Sequence, residues 1–169
     1  MASLKEIKAR IASVNNTLKI TSAMKMVASA KLHRVQNVAE GLAAYSERLA
    51  DIAAALTADP ELEVSSPLAE PHEARRRAVV VAVSSDGSLC GAFNANVIRL
   101  LHAEVESLRG QGFEAVEVWP VGEKIAQATR KAGFDVCDDF RKLASKATSG
   151  DAAALAQRLM DRYEAGGID

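Results

Sequence analysis

Aromatic residues make up only 4% of this 169-residue chain, with Trp119 the sole tryptophan and two tyrosines. That is too little to build the stacking platform on which single-stranded nucleic acid is held. Cysteine is as scarce: Cys90 and Cys137 are the only two. The pair excludes a disulfide scaffold and fits a reducing compartment where thiols stay free. No long apolar run occurs. The longest, Ala78 to Val83, is six residues, against the roughly 20 needed to span a bilayer, and no charged-then-apolar leader precedes it. A soluble, non-exported protein is therefore expected. Proline is rare as well, and none of the four comes before Pro60. What remains is ordinary: 49% hydrophobic and 25% charged residues, values of a globular chain of about one domain.

The net charge of −1 hides an asymmetry. Residues 1–35 carry seven cations (Lys5, Lys8, Arg10, Lys19, Lys25, Lys31, Arg34) against Glu6, a balance of +6; the other 134 residues hold 14 basic and 21 acidic side chains, a balance of −7. The two parts present opposite fields and call for different partners.

Ser3 and Glu6 form the sequence pattern of a capping box, so a helix is expected to start there. Apolar residues then recur at alternating steps of three and four: Leu4, Ile7, Ile11, Val14, Leu18, later Leu32, Val35, Leu42, Leu49 and on to Leu56. Thirteen of sixteen seam positions are apolar, the exceptions being Thr21, Lys25 and Ser46. With no proline to stop it, one helix of about 55 residues, near 80 Å, is predicted. A rod of that length needs another helix beside its seam. The later helical candidates, 95–110, 122–132 and 151–164, are too short. The partner is expected from another chain or from sequence beyond Gly166-Gly167-Ile168-Asp169, an ending that reads as truncation. Within the rod, ITSAMKMVASAKL (residues 20–32) is apolar around most of its circumference, because Ile20, Met24, Met26 and Val27 fall outside the seam. Such a stretch is expected inside a sleeve of other protein.

Residues 58–76 hold three prolines, several acids and then Arg75-Arg76-Arg77, and read as an exposed linker. Beyond them strands alternate with helices: Ala78–Val83 as a strand buried on both faces, a helix from about Ala95 to Arg109, a strand at Val116–Val121, a helix at Glu123–Lys131, a short strand at Phe134–Val136 and a helix at Asp151–Glu164. The prediction is an α/β fold: a long N-terminal coiled-coil helix (1–57), a linker (58–76) and a partial Rossmann-like parallel-sheet domain (77–169).

A polar loop after the first strand of such a sheet raises the question of a nucleotide site. The loop reads DGSLCGAFN, without the glycine spacing of the dinucleotide turn, and no phosphate loop occurs. Gly122-Glu123-Lys124 sets an acid where a phosphate would lie. Cys90 as nucleophile with His102 as base lacks an orienting acid, and a small buried residue at the sheet edge is the simpler reading of Cys90. His33 and His72 are isolated, and nothing has metal-ligand spacing. No catalytic residue, cofactor or metal is expected. A basic-zipper reading fails because the cations are dispersed along residues that already carry the seam, so no nucleic acid is expected either.

The stretch SLKEIKARIASVNNTLKITSAMKMVASAKL (Ser3–Leu32), together with SLCGAFNANVI (Ser88–Ile98), resembles the gamma subunit of F-type ATP synthases. The resemblance covers essentially the whole chain, although members of that family continue for more than a hundred residues and end in a second long helix antiparallel to the first. It implies a non-catalytic central-stalk rotor that couples proton-driven rotation to ATP synthesis at the beta subunits. The implied partners are the alpha and beta subunits, the epsilon subunit and the membrane c-ring, with no small-molecule substrate. The implied place is the cytoplasmic face of a bacterial inner membrane, as a peripheral part of the complex. Ile20, Met24, Lys25, Val27 and Lys31 would meet the beta ring, Lys25 departing from the acid that some members carry there. A non-rotary coiled-coil adaptor and a small α/β enzyme using loop 84–94 are the competing readings.

Overall fold

The computed structural model describes residues 3–58 and 66–169, which divide into two compact units, 1–64 and 65–169. The first unit is a single helix, α1 (Leu4–Ala58, 55 residues), which buries none of its side chains. Its start is the expected capping box: Glu6 N–H donates to Ser3 Oγ (3.3 Å) while Ser3 N–H donates to Glu6 Oε2 (2.8 Å). Thr17, Thr21 and Thr57 return their hydroxyls to carbonyls one turn back, which satisfies these polar side chains within the helix. The seam residues Leu4, Ile7, Ile11, Val14, Leu18, Leu32, Val35, Leu42 and Leu49 are all exposed.

The second unit contains β1 (Arg77–Val83), α2 (Phe93–Gly110), β2 (Ala115–Val121), α3 (Glu123–Ala132), β3 (Asp135–Val136), a 3-10 turn (Asp138–Phe140), a one-turn helix α4 (Leu143–Lys146) and α5 (Ser149–Glu164). The sheet is parallel, in the order β1-β2-β3, with Val80 opposite Val118 and Glu117 opposite Asp135. β2 is the central strand, and its alternation sorts the two faces. Val116 and Val118 join Ala82, Leu101, Val105 and Ile125 in the core beneath α2 and α3. Glu117 and Trp119 point the other way: Glu117 Oε2 accepts from Arg162 Nη1 at 2.7 Å, and the fully buried Trp119 ring stacks on Phe140 at 5.4 Å. Arg158 and Arg162 lie 5.9 and 5.5 Å from the centre of that ring.

Pro120 explains why β3 is so short. Cys137 N–H donates to the Val118 carbonyl, and the next rung of a parallel ladder would need an N–H from residue 120. Proline has none, so the ladder ends.

Three expectations change. β1 is not buried on both faces: Val79, Val80 and Val81 are only half-buried, because β1 has a partner on one side alone among the described residues. α5 begins at Ser149 rather than Asp151, since Thr148 is its N-cap and shares a reciprocal capping box with Asp151. α2 likewise begins at Phe93, two residues early.

Of the expected linker 58–76, residues 59–65 lie outside the described residues. The remainder is tied to the α/β unit. Tyr163 Oη donates to the Glu70 carbonyl (2.7 Å), and Arg75 Nη1 to that of Gln111 (2.8 Å). His72, expected to be isolated, stacks on Tyr163 with ring centres 4.2 Å apart, its Nδ1 3.1 Å from the Ile168 carbonyl. Asp169 closes this corner. Its Oδ2 accepts the Arg76 and Arg77 amides at 2.8 and 3.0 Å, while Oδ1 is enclosed without a hydrogen bond, 3.3 Å from His72 Nδ1 and 3.7 Å from Arg76 Nη2. The Arg77 amide first, then the Arg76 amide and charge and the His72 contact, outweigh desolvation and hold the Asp169 carboxyl below its ordinary range. A carboxylate depressed by folding stabilises fully above its unfolded pKa, and the contribution disappears as pH falls through the folded value. Urea unfolding of the α/β unit should therefore show stability lost below about pH 4, with a shallower decline there in Asp169→Asn. Parallel profiles for the two proteins would remove Asp169 from the account.

Candidate functional site

The position where an open parallel sheet binds its ligand is the crevice beyond the carboxyl ends of its strands, facing helix N-termini. Here that position is formed by the 84–94 loop and the start of α3. The four donors that the start of α3 would offer a phosphate are all used by the protein. Gly122 N–H donates to the Arg141 carbonyl (2.8 Å), Glu123 N–H to Asp86 Oδ1 (2.9 Å), Lys124 N–H to the Ser85 carbonyl (3.4 Å) and Ile125 N–H to Ser84 Oγ (3.0 Å). The acid in the phosphate position is thus Asp86, not Glu123 as the sequence suggested. Glu123 turns aside to Arg141 Nε at 3.4 Å and to Gln127.

The loop itself is clasped by Asn94 from the first turn of α2. Asn94 Oδ1 accepts from the Ser85 amide (3.2 Å) and Ser85 Oγ (3.0 Å), and Nδ2 donates to the Gly87 carbonyl (3.0 Å) and to Cys90 Sγ (3.1 Å). Gly91, at φ 57°, supplies the left-handed residue that turns the chain into the helix. Cys90 is half-exposed on the loop rather than buried at the sheet edge. His102 packs its ring against Phe134 at 5.1 Å. Burial pushes the Cys137 thiol up, away from thiolate reactivity. Among the described residues no group of three or more His, Cys, Asp or Glu side chains is placed to hold a metal ion.

The other candidate lies on α1. Ile20, Met24, Val27 and Lys31 follow one another at helical spacing and, with Ala23 and Ala28, line a shallow hollow of about 520 Å³ on one face. Lys25 is not in that lining. The apolar members are half or more exposed: Ile20 62%, Met24 51%, Val27 57%. Met26, at 71%, faces elsewhere. Sequence reasoning missed the four-donor closure at α3 and the Asn94 clasp. Asp86 next to Gly87, and an asparagine three residues after Gly91, were the only local signs of either.

Fold and site define a class: a small α/β unit, its anion position filled by its own carboxylate, carrying a long helical arm with an apolar face. A family described as ATP synthase matches residues 3–169. The chain is 51% identical over 164 residues to the ATP synthase gamma chain of Phocaeicola vulgatus, covering 96% of this chain and 56% of that one. Against those of Bacteroides thetaiotaomicron and Paracoccus denitrificans it is 47% and 38% identical, covering all of this chain and 56% and 59% of theirs. The chain belongs to the ATP synthase gamma chain family, and it spans little more than half the length of these relatives. No helix among the described residues is long and apolar enough to cross a membrane.

Proposed function

We propose that this chain supplies the N-terminal part of the central-stalk rotor of a proton-translocating F-type ATP synthase. The observation that carries the reading is identity of 47–51% to named gamma chains along nearly the entire sequence. The exposed arm gives it a physical form. A helix of about 80 Å with apolar residues around its circumference gains roughly 1.5–3 kcal/mol for each large aliphatic side chain a partner covers. Turning such an arm inside a ring of alpha and beta subunits presents a different face to each beta subunit in turn, and biases one catalytic subunit at a time between conformations.

On this reading the gamma chain is not itself catalytic; the reaction belongs to the beta subunits. Ile20, Met24, Val27 and Lys31 meet the ring from one face, with Lys25 beside them, and the seam from Leu4 to Leu49 receives a second helix in a coiled coil. The α/β unit stays outside, with the epsilon subunit and the c-ring as neighbours, on the cytoplasmic side of a bacterial inner membrane. No cofactor and no nucleic acid enters the scheme.

The deciding experiment is co-expression of the full-length subunit with the alpha and beta subunits of its own synthase. One copy per three alpha–beta pairs is expected. A symmetric dimer through α1 with no affinity for alpha and beta would establish the adaptor reading instead. Titration calorimetry of the 169-residue chain with ATP, ADP or NAD at millimolar concentration should give no saturable heat, because the α3 amides are already occupied. A saturable signal that Gly91→Val abolishes would favour the small α/β enzyme.

A further inference from the structure

We propose that Lys25 pins the register of the coiled coil: the helix that covers the α1 seam sets an aspartate or glutamate against the Lys25 ammonium. The inference deepens the rotor reading and rests on the part of it that gives the seam a second helix.

Of the sixteen seam positions only Thr21, Lys25 and Ser46 are polar. Thr21 asks nothing of a partner, because its hydroxyl donates to the Thr17 and Leu18 carbonyls at 2.8 and 3.1 Å. Ser46 carries the same short hydroxyl and can turn it back on its own helix. Lys25 has no such outlet. The residues three and four positions away, Thr21, Ser22, Ala28 and Ser29, include no acid, so α1 cannot pair the ammonium along its own surface. The nearest carboxylates of the helix, Glu40 and Glu6, are 15 and 19 positions distant, which is more than about 20 Å along the axis.

Lys25 is also turned away from the hollow on α1. Lys31 lines that hollow with Met24 and Val27, and Lys25, six positions earlier, points about 120° round the helix from it. Its neighbours along the seam are Leu18 and Leu32, seven positions to either side and 62% and 58% exposed. A helix that covers both leucines covers the Lys25 stem between them. On an open coiled coil the ammonium escapes by bending its stem to water. Residues 20–32 are apolar around most of the circumference, and a sleeve around them closes that escape. A cation enclosed alone is strongly disfavoured; a carboxylate opposite it offsets the penalty in one alignment of the two helices and not in others.

A second copy of α1 does not meet the requirement. Its acids, Glu6, Glu40, Glu47 and Asp51, all lie off the seam, and a parallel pair in register would set Lys25 against itself. The occupant is a different helix, with a carboxylate on its own seam. The relatives, of which this chain spans 56%, have the additional length from which such a helix could come.

The test uses the full-length subunit assembled with alpha and beta. A carbodiimide condenses an ammonium with a carboxylate in direct contact, forming an amide while the reagent takes up the lost water as a urea. Mass mapping of the digested complex should join Lys25 to one Asp or Glu of the same polypeptide, outside residues 1–169. Lys25→Glu should lower the yield of assembled complex at least about ten-fold, and changing the mapped acid to lysine in the same protein should restore most of it. Lys25→Arg, which keeps the charge, should assemble. Leu32→Asp tests the seam separately. Wild-type yield with Leu32→Asp would remove the second helix from the seam, and the rotor reading of α1 with it. Loss with Leu32→Asp but normal assembly of Lys25→Glu would leave the coil standing and overturn the Lys25 proposal alone. A link from Lys25 to a beta-subunit carboxylate, no link at Lys25, or no rescue by the reversed acid would each overturn it as well.

Discussion

Gly122→Val should unfold the α/β unit at temperatures where the wild type is intact. Gly122 has φ 111°, in the region that side chains rarely enter, and a Cβ built on it would stand 2.4 Å from the Ser84 carbonyl oxygen and 2.7 Å from Ser84 Oγ. Neither obstacle is a flexible tip. The carbonyl belongs to the backbone leaving β1, and the hydroxyl caps the Ile125 amide. Backbone strain of about 1–3 kcal/mol adds to overpacking of similar size. The sum, about 2–6 kcal/mol, is a large part of the 5–15 kcal/mol that holds an ordinary domain together. A fall in melting temperature of about 15 °C or more is expected by calorimetry. Gly110→Ala is the matched control: nothing lies within 4 Å of its Cβ, and a small gain of up to about 1 kcal/mol is expected there. Similar losses at the two glycines would show that the close passage of Gly122 over Ser84 is not what the fold depends on.

Val27→Glu should leave the isolated chain as stable as before and prevent assembly of the full-length subunit with alpha and beta. Val27 is 57% exposed on α1, and exchanges at such positions usually change stability by under about 0.5 kcal/mol. Glutamate is also a good helix former, so helix content should hold. If the face shared with Ile20 and Met24 is covered in the complex, the same carboxylate must be desolvated there without a dedicated partner, at a cost of several kcal/mol. That corresponds to at least about a hundred-fold loss of affinity. Circular dichroism of the isolated chain and co-purification with alpha and beta separate the two effects. Val27→Leu should assemble normally. Assembly of Val27→Glu at wild-type yield would move the contact to another face of the helix.

Features that depend on neighbours in the chain were legible in the sequence. Ser3 and Glu6 announce the start of α1 three residues apart, and the three-four recurrence carries the helix to Ala58. Alternating strands and helices gave the parallel sheet. Thr148 and Asp151 carry the same capping signal as Ser3 and Glu6, and it sets the start of α5 at Ser149, two residues before the apolar recurrence does. The 3-10 turn at Asp138–Phe140 and α4 at Leu143–Lys146 are too short for any periodicity to register. What escaped entirely was long-range. Asp86 meets the amide of Glu123 across 37 positions, and His72 reaches the Ile168 carbonyl across 96. No local pattern encodes such pairings, because the sheet brings the residues together. AVVVAV identifies a strand but not its place in the sheet, and among the described residues β1 lies at an edge.

Pro120 also limits how this protein can aggregate. Fibrous growth by strand addition needs two competent edges on every copy, one to accept and one to offer. Because the missing N–H of Pro120 halts β3 at two residues, the sheet's far flank is too short to template a neighbour. Among the described residues only β1 can recruit. Two copies joined edge to edge through β1 would use up both templates, so open-ended polymerisation stops at a pair.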